Sequence, residues 1–329
     1  MKQPFAILII LNYNGVKIKY KNKSILWHCF KSLKKTNYKN YKIILADDSS
    51  TDNSIQYIRT KFPYVKILKN EKNMNLIDDN SCRNKFNGSW SGNCNNALKY
   101  ALTYKPDYIV LLNNDIIITD KNWLRDLVIL AESDKKVGVE SCKLVYPNGR
   151  IQHAGCYIDI MPRNIGRGEI DKGQYNKIEE KDFVTFSCVL IKNTVFNKIG
   201  ILNVGFYEEI DYLIRAKRAE FKIIYNGAVS MVHLESFSSL SSPNKLIKDS
   251  SFYPNQVHYA YFLLNYLKGI KFLKAIFVLF IGSIITIQDE NKIRKLNNIK
   301  LKNHLLWRIY MTIKALFEGY KEYKRKSNV

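Results

Sequence analysis

No C-x-x-C pair occurs in this chain. Its six cysteines, Cys29, Cys82, Cys94, Cys142, Cys156 and Cys188, are scattered. That spacing argues against a zinc site and against a small disulfide scaffold, and it fits free thiols in a reducing cytosol. Long hydrophobic runs are also missing. The first ends early, at Asn12-Tyr13-Asn14-Gly15, and Phe272 to Ile287 is mostly apolar but carries Lys274. A spanning helix needs roughly twenty apolar residues, so this second run reads as interfacial or re-entrant. Lys2-Gln3-Pro4 leads straight into apolar sequence with no small-residue cleavage site, so no signal peptide is expected. Acidic residues are few: 29 Asp and Glu against 52 Lys and Arg leave a formal charge of +23. Such an excess attracts polyanions, whether nucleic acid, anionic lipid or phosphorylated substrates. No zinc-finger or ribonucleoprotein motif accompanies it, and many of the basic residues fall late in the chain. Both facts weigh against nucleic acid as the partner. No internal repeat is evident.

What is present suits a folded chain. Its 329 residues are 46% hydrophobic and 13% aromatic, which excludes disorder as the main state and allows one large or two modest domains. Phe5 to Leu11 is a short apolar run closed by a turn signal, the pattern of a strand buried on both faces. Ile25 to Leu33 has helical spacing. Tyr41 to Ala46 reads as a second buried strand, and Asp52-Asn53-Ser54 as a cap for a helix over Ile55 to Thr60. Val65 to Leu68 is a short strand, Asn95 to Thr103 a helix and Tyr108 to Leu112 another buried strand. This alternation through residue 145 predicts βαβ units and a mainly parallel sheet. Residues 146–180 read as loop. A strand over Phe183 to Ile191, a helix over Thr194 to Ile199 and strands over Lys222 to Tyr225 and Ala228 to Val232 follow. The serine-rich stretch from Ser236 to Pro243 reads as a polar loop. Leu301, Leu305, Ile309, Ile313 and Leu316 recur at helical spacing beside Lys302, Arg308 and Lys314. That is the pattern of a basic amphipathic helix on anionic lipid.

Ligands of open α/β sheets gather at the carboxyl ends of strands. Three such ends here carry polar clusters, at residues 12–15, 47–54 and 113–115. Asn, Asp and Gly are ordinary turn formers, but three clusters in succession point to a site.

Ile9-Ile10-Leu11-Asn12-Tyr13-Asn14-Gly15, Asp47-Asp48-Ser49-Ser50-Thr51-Asp52-Asn53-Ser54 and Leu111-Leu112-Asn113-Asn114-Asp115 appear in that order. With them the chain resembles family 2 glycosyltransferases of the GT-A fold, and in particular the rhamnosyltransferase-like branch that builds bacterial surface polysaccharides. Gly92-Asn93-Cys94-Asn95, Tyr146-Pro147-Asn148-Gly149-Arg150-Ile151-Gln152 and the stretch from Gly205 to Arg218 extend the resemblance. Ile77 to Arg83 looks like an insertion in that pattern. The resemblance implies an α/β, Rossmann-like fold: a mixed, mainly parallel central sheet flanked by helices, with a C-terminal helical extension. It covers roughly residues 5–240, so a catalytic domain is expected over residues 1–245, and the lysine-rich helical pattern beyond it marks 246–329 as a basic, amphipathic, membrane-associating region. The implied activity is inverting transfer of a sugar from a nucleotide-sugar donor to a growing glycan or lipid-linked saccharide, and the basic C-terminal helices point to the cytoplasmic face of a membrane. A nucleotidyltransferase would need a Gly-rich, basic phosphate loop after the first strand, and Asn12 to Val16 lacks one. A processive synthase would need several spanning helices.

The departing diphosphate must be neutralised, and a divalent cation with oxygen ligands does this. The family's D-x-D motif is matched by Asn113-Asn114-Asp115, which implies Mg²⁺ or Mn²⁺ held by Asp115. Asn113, standing in place of an acid, would contact the metal or hold the ribose. His233 stands where similar enzymes place a metal-ligating imidazole. Asp47 matches the position that accepts a hydrogen bond from the donor's base, and Asp52 caps the next helix or touches the nucleotide. Asn12, Asn14, Asn95 and Asn114 fall in the same donor pocket. The stretch Tyr207 to Arg215 aligns with the family's acidic pair before a helix. That alignment puts Glu209 at the general-base position, with Glu208 and Asp211 as alternatives. Arg215 and Arg218 would pair with the diphosphate or with Glu208, or form a solvated helix face.

Overall fold

The computed structural model describes residues 3–70, 89–158, 162–203 and 208–235, together with scattered residues of 264–277 and 312–321. The chain divides into two compact units, Met1–Ile158 with Pro162–Ser242 and Asp159–Met161 with Pro243–Val329.

The first unit is built around β1 (Ala6–Asn12), all seven of whose residues are buried. A strand covered on both faces needs apolar side chains at every position, and its two faces share them out. Ala6, Leu8 and Ile10 join one core, while Ile7, Ile9 and Leu11 join the other. Each such Leu or Ile contributes about 1.5–3 kcal/mol by leaving water. A two-stranded ribbon, β2 (Lys19–Tyr20) with β3 (Lys23–Ser24), leads into α1 (Ile25–Leu33), capped where Trp27 N donates to Ser24 Oγ at 3.1 Å. β4 (Tyr41–Asp47) pairs with β1 in parallel, and after α2 (Ser54–Lys61) β5 (Lys66–Lys69) pairs with β4. α3 (Ser89–Leu102) then leads to β6 (Tyr108–Asn113), parallel to β1 on its other side.

Beyond β6 the sheet becomes mixed. β7 (Ile116–Ile118), α4 (Trp123–Ser133) and β8 (Val137–Val145) fall inside the stretch expected to alternate. β9 (Ile151–His153) pairs with β8, and β10 (Cys156–Ile158) forms a separate ribbon with β11 (Pro162–Asn164). After β12 (Ile178–Glu180) and β13 (Cys188–Lys192) come α5 (Asn193–Ile199), α6 (Glu208–Arg218) and β14 (Lys222–His233). The strand order is β12-β14-β8-β13-β6-β1-β4-β5, with β13 antiparallel to both its neighbours and β14 parallel to β8. Leu26, Ile58 and Trp123 seat α1, α2 and α4 in one core. Ala97, Val195 and Tyr212 seat α3, α5 and α6 in the other, so helices flank a mainly parallel sheet.

Three expectations need correcting. Residues 146–180 are not all loop, because β9 to β12 lie there. Each is only three residues long and borrows its order from a longer partner or a ribbon mate, which leaves no periodicity to read. The segment expected to begin a strand at Phe183 becomes one only at Cys188. Lys222–His233 is one strand rather than two. Its register shifts between Asn226 and Ser230, and a Cβ on Gly227 would collide with the Tyr175 carbonyl. The gap expected between Tyr225 and Ala228 is therefore a bulge, with close backbone approach at Gly227.

In the second unit, residues 272–277, 312–314, 316–317 and 319–321 are helical; Leu273, Phe277, Ile313 and Phe317 are exposed. No described helix is long and apolar enough to cross a membrane. The rest of the run to Ile287, together with Leu301, Lys302, Leu305, Arg308 and Ile309, lies outside the described residues. So do Ser236 to Pro243 and the insertion from Ile77 to Arg83.

Candidate active site

Pairing register sets Asn12 beside Asp47 and Leu11 beside Asn113, so the carboxyl ends of β1, β4 and β6 finish level. A cleft of about 250 Å³ opens at this edge, lined by Asn12, Asp48, Trp90, Asn93, Asn113, Asn114 and Asp115 among others. Asn114 Nδ2 donates to Asn12 Oδ1 at 2.7 Å. Gly15 packs against that pair: a Cβ there would collide with Asn12 Oδ1 and lie 2.7 Å from Asn114 Nδ2. Asn14 adopts a left-handed backbone (φ 49°), which asparagine tolerates, and its Oδ1 accepts from Thr51 N at 2.8 Å and Asp52 N at 3.2 Å. Asp52 in turn accepts from Val16 N (2.9 Å), Lys17 N (2.8 Å) and Ser54 N (2.9 Å). Asn14 and Asp52 thus staple the loops after β1 and β4 together, and Asp52 also accepts from the first amide of α2, Ser54 N.

Asp47 is fully buried and accepts from Asn12 Nδ2 (2.7 Å), Ser50 Oγ (2.6 Å) and Ser50 N (2.9 Å). Its carboxylate is spent on the scaffold. The acid of this pair that lines the cleft is Asp48, which corrects the expectation for Asp47. Asn95 is likewise taken up: Nδ2 donates to Leu202 O at 2.8 Å and Oδ1 accepts from Leu202 N at 3.1 Å. Trp90 and Asn93, one helical turn apart on α3, line the cleft instead.

Asp115 follows β6, and antiparallel pairing of β7 with β14 brings the end of β14 against it, with Leu234 N donating to Asp115 O at 3.0 Å. Two residues expected at a metal therefore meet: His233 Nε2 lies 3.1 Å from Asp115 Oδ1, both side chains nearly buried. Among the described residues no cluster of three or more His, Cys, Asp or Glu could hold a metal unaided.

The acidic run divides by role. Ser91 Oγ donates to Glu208 Oε1 at 3.1 Å. Burial, and next the charge of Glu208, push the Glu209 carboxyl up to about 8, against a hydrogen bond from the Phe186 backbone. Asp211 is buried and accepts from Asn203 Nδ2 (2.8 Å) and Arg215 Nε (2.9 Å); Arg215 also donates to Ile199 O (2.6 Å) and Ile201 O (3.0 Å). Arg215 thus serves α6 and the segment before it rather than a diphosphate or Glu208. Removing it strands a buried charge, so Arg215→Ala is expected to lose about 3 kcal/mol of unfolding free energy in a urea titration.

A family model described as Glycosyl transferase family 2 matches residues 8–200. The O-antigen biosynthesis protein RfbC of Myxococcus xanthus is 23% identical over 217 residues, which is 63% of this chain and 16% of that one. The chain spans less than half the length of the curated relatives it matches. Among solved structures, S. aureus TarS 1-349 in complex with UDP-GlcNAc superposes with a TM-score of 0.55 at 15% identity, covering 95% of this chain and 81% of that one. The mannosyltransferase PcManGT from Pyrobaculum calidifontis, in complex with GDP-Man and Mn²⁺, gives 0.52 at 10% identity, covering 98% and 87%. At these identities the likeness establishes the fold, which is GT-A.

Proposed function

Because the chain belongs to glycosyl transferase family 2, we propose that it moves one sugar, with inversion, from a nucleoside-diphosphate sugar to a glycan or lipid-linked acceptor. The observation that carries this reading is the Asp115–His233 pair beside a cleft built from three level strand ends. Asp115 and His233 would hold a divalent cation such as Mn²⁺, with donor diphosphate oxygens as further ligands, whereas Mg²⁺, a harder ion, would lean on the carboxylate and the diphosphate oxygens. When bound, the cation supplies Lewis acidity to the departing diphosphate. The Mn²⁺ seen with PcManGT accords with this.

The chain's own residues do the rest. Asp48 accepts a hydrogen bond from the donor's base, as a carboxylate does from an imide N–H. Asn12 and Asn114 hold the ribose side of the cleft, and Trp90 gives a flat apolar wall. Glu209 removes the proton from the acceptor hydroxyl, opposite the leaving diphosphate. The Lys-rich sequence after residue 245 supports a further part of the reading, peripheral attachment at an anionic membrane face.

The test is a donor panel of dTDP-rhamnose, UDP-hexoses, UDP-galactofuranose and GDP-mannose, with and without Mn²⁺ or Mg²⁺. Absence of turnover or hydrolysis of every donor with both metals would sink the reading. The pH profile tests the base. Glu209 accepts a proton only when ionised, so kcat/KM should rise with pH and level off above about 8. Glu208→Gln removes a like charge that raises Glu209, and its acid limb should lie at lower pH than that of the wild type. The same shift fixes a stability trend. Between pH 4.5 and about 8 the folded state holds a proton that the unfolded state has lost, so Glu209 makes folding less favourable as pH rises through that window.

A further inference from the structure

The segment Tyr146 to Gln152 has no part in the chemistry above, yet its two ends converge on Glu235 and Gln152 reaches the metal pair. Tyr146 N donates to Arg150 O at 2.7 Å and Gly149 N to Tyr146 O at 2.9 Å, closing a tight turn in which Gly149 takes φ 78°. The turn brings Tyr146 and Gln152 to one acceptor, Glu235: Tyr146 Oη donates at 2.8 Å and Gln152 Nε2 at 3.1 Å. Arg167 Nη2 lies 3.0 Å and 2.8 Å from the two oxygens of the same carboxylate. At its other end Gln152 Oε1 is 2.6 Å from His233 Nδ1, and His233 Nε2 is 3.1 Å from Asp115 Oδ1.

The donor and acceptor roles along this chain are forced. A carboxylate clamped by arginine can only accept, so Gln152 must turn its NH₂ to Glu235 and its carbonyl to His233. An amide carbonyl can only accept, so His233 Nδ1 must carry a proton. The nitrogen left to face Asp115 is Nε2, and two acceptors 3.1 Å apart need a cation or a proton between them.

We propose that Gln152, oriented by Glu235, is a positioning residue: it fixes the proton of His233 on Nδ1 so that Nε2 is the atom offered with Asp115 to a divalent cation. Tyr146 and Arg167 set Glu235 in place, and no member of the relay beyond His233 touches the metal. The inference rests on the metal reading above and adds the group that prepares its imidazole. Partners of this kind typically change metal affinity by about 10–100-fold.

The test uses the full-length protein and Mn²⁺ alone as the probe, with free Mn²⁺ followed by its EPR signal. Gln152→Met keeps the length of the side chain but removes the acceptor, and Mn²⁺ should bind about 10–100-fold more weakly. The double variant Gln152→Glu with Glu235→Gln exchanges donor and acceptor between the two positions while leaving an acceptor on His233 Nδ1. It should restore affinity to within a few-fold of wild type, and a purely structural role for the relay would not produce that rescue. Wild-type affinity in Gln152→Met, with weakened binding in His233→Ala, would overturn the positioning role and leave the metal reading standing. Wild-type affinity in His233→Ala would overturn the metal reading, and the relay with it. Should Gln152→Met fail to fold, the double variant decides alone: affinity as weak as that of His233→Ala would overturn the proposal.

Discussion

Asp115→Ala should turn over donor at least about 10³-fold more slowly than the wild type, with Mn²⁺ or Mg²⁺ at any concentration. The size follows from what the carboxylate does. It is the acid at the edge where the cleft, β6 and the end of β14 come together, and it faces His233. Charge that develops on the diphosphate in a partly dry cleft is costly, and a fixed cation is worth far more there than in water. The substitution should leave the fold intact. The contact that joins this turn to β14 is made by the backbone, Leu234 N to Asp115 O, and alanine keeps it. The unfolding free energy should therefore stay within about 1 kcal/mol of the wild type. His233→Ala should cost less activity than Asp115→Ala, because the carboxylate and the diphosphate oxygens still hold the cation. Full turnover in Asp115→Ala, measured by release of the nucleoside diphosphate, would remove the metal from this position.

The first half of the fold was legible because its strands are buried on both faces. Ala6–Asn12, Tyr41–Asp47 and Tyr108–Asn113 are continuous apolar runs ending in polar residues, so both the strand and its functional end can be read directly. The second half was not. Its strands are mostly three residues long, and β14 contains a bulge at a glycine that mimics a turn. The site shows the same division. Asp115 and His233 are far apart in sequence, and their resemblance to a metal pair gave their types but not their meeting, which depends on β7 pairing with β14. Asp47 and Asp48 are adjacent, and which of them faces the cleft depends on how β4 ends. The Ser50 hydroxyl and amide that saturate Asp47 decide it, and no periodicity announces that. Asn95 stands where the resemblance implies a donor-pocket asparagine; its partner Leu202 is visible only once α3 and the segment after α5 are adjacent. Glu235 carried no signal at all, since it follows a strand end as an ordinary loop acid would.

Glu209→Gln should lower kcat by about 10²–10⁴-fold, the usual contribution of a positioned base, while donor affinity stays near wild type. Glutamine has the same shape and can still accept from the Phe186 backbone, so a loss of rate would report the lost proton acceptor rather than a collapsed cleft. Two accompanying results separate this from a structural effect. The residual rate of Glu209→Gln should have no acid limb near pH 8, because the group that titrates there is gone. Its stability near pH 8 should be equal to or greater than that of the wild type, because burying an amide spares the desolvation that raises the Glu209 carboxyl. Asp211→Asn gives the contrast. Asp211 is held by Arg215 and Asn203, so its loss should reduce stability and leave the pH profile of turnover where it was. If Asp211→Asn removed the acid limb and Glu209→Gln kept it, the base would be Asp211, and the ion pair with Arg215 would have to open during turnover. The hydrogen bonds from Arg215 to Ile199 O and Ile201 O oppose that opening, and they are the reason Glu209 is preferred.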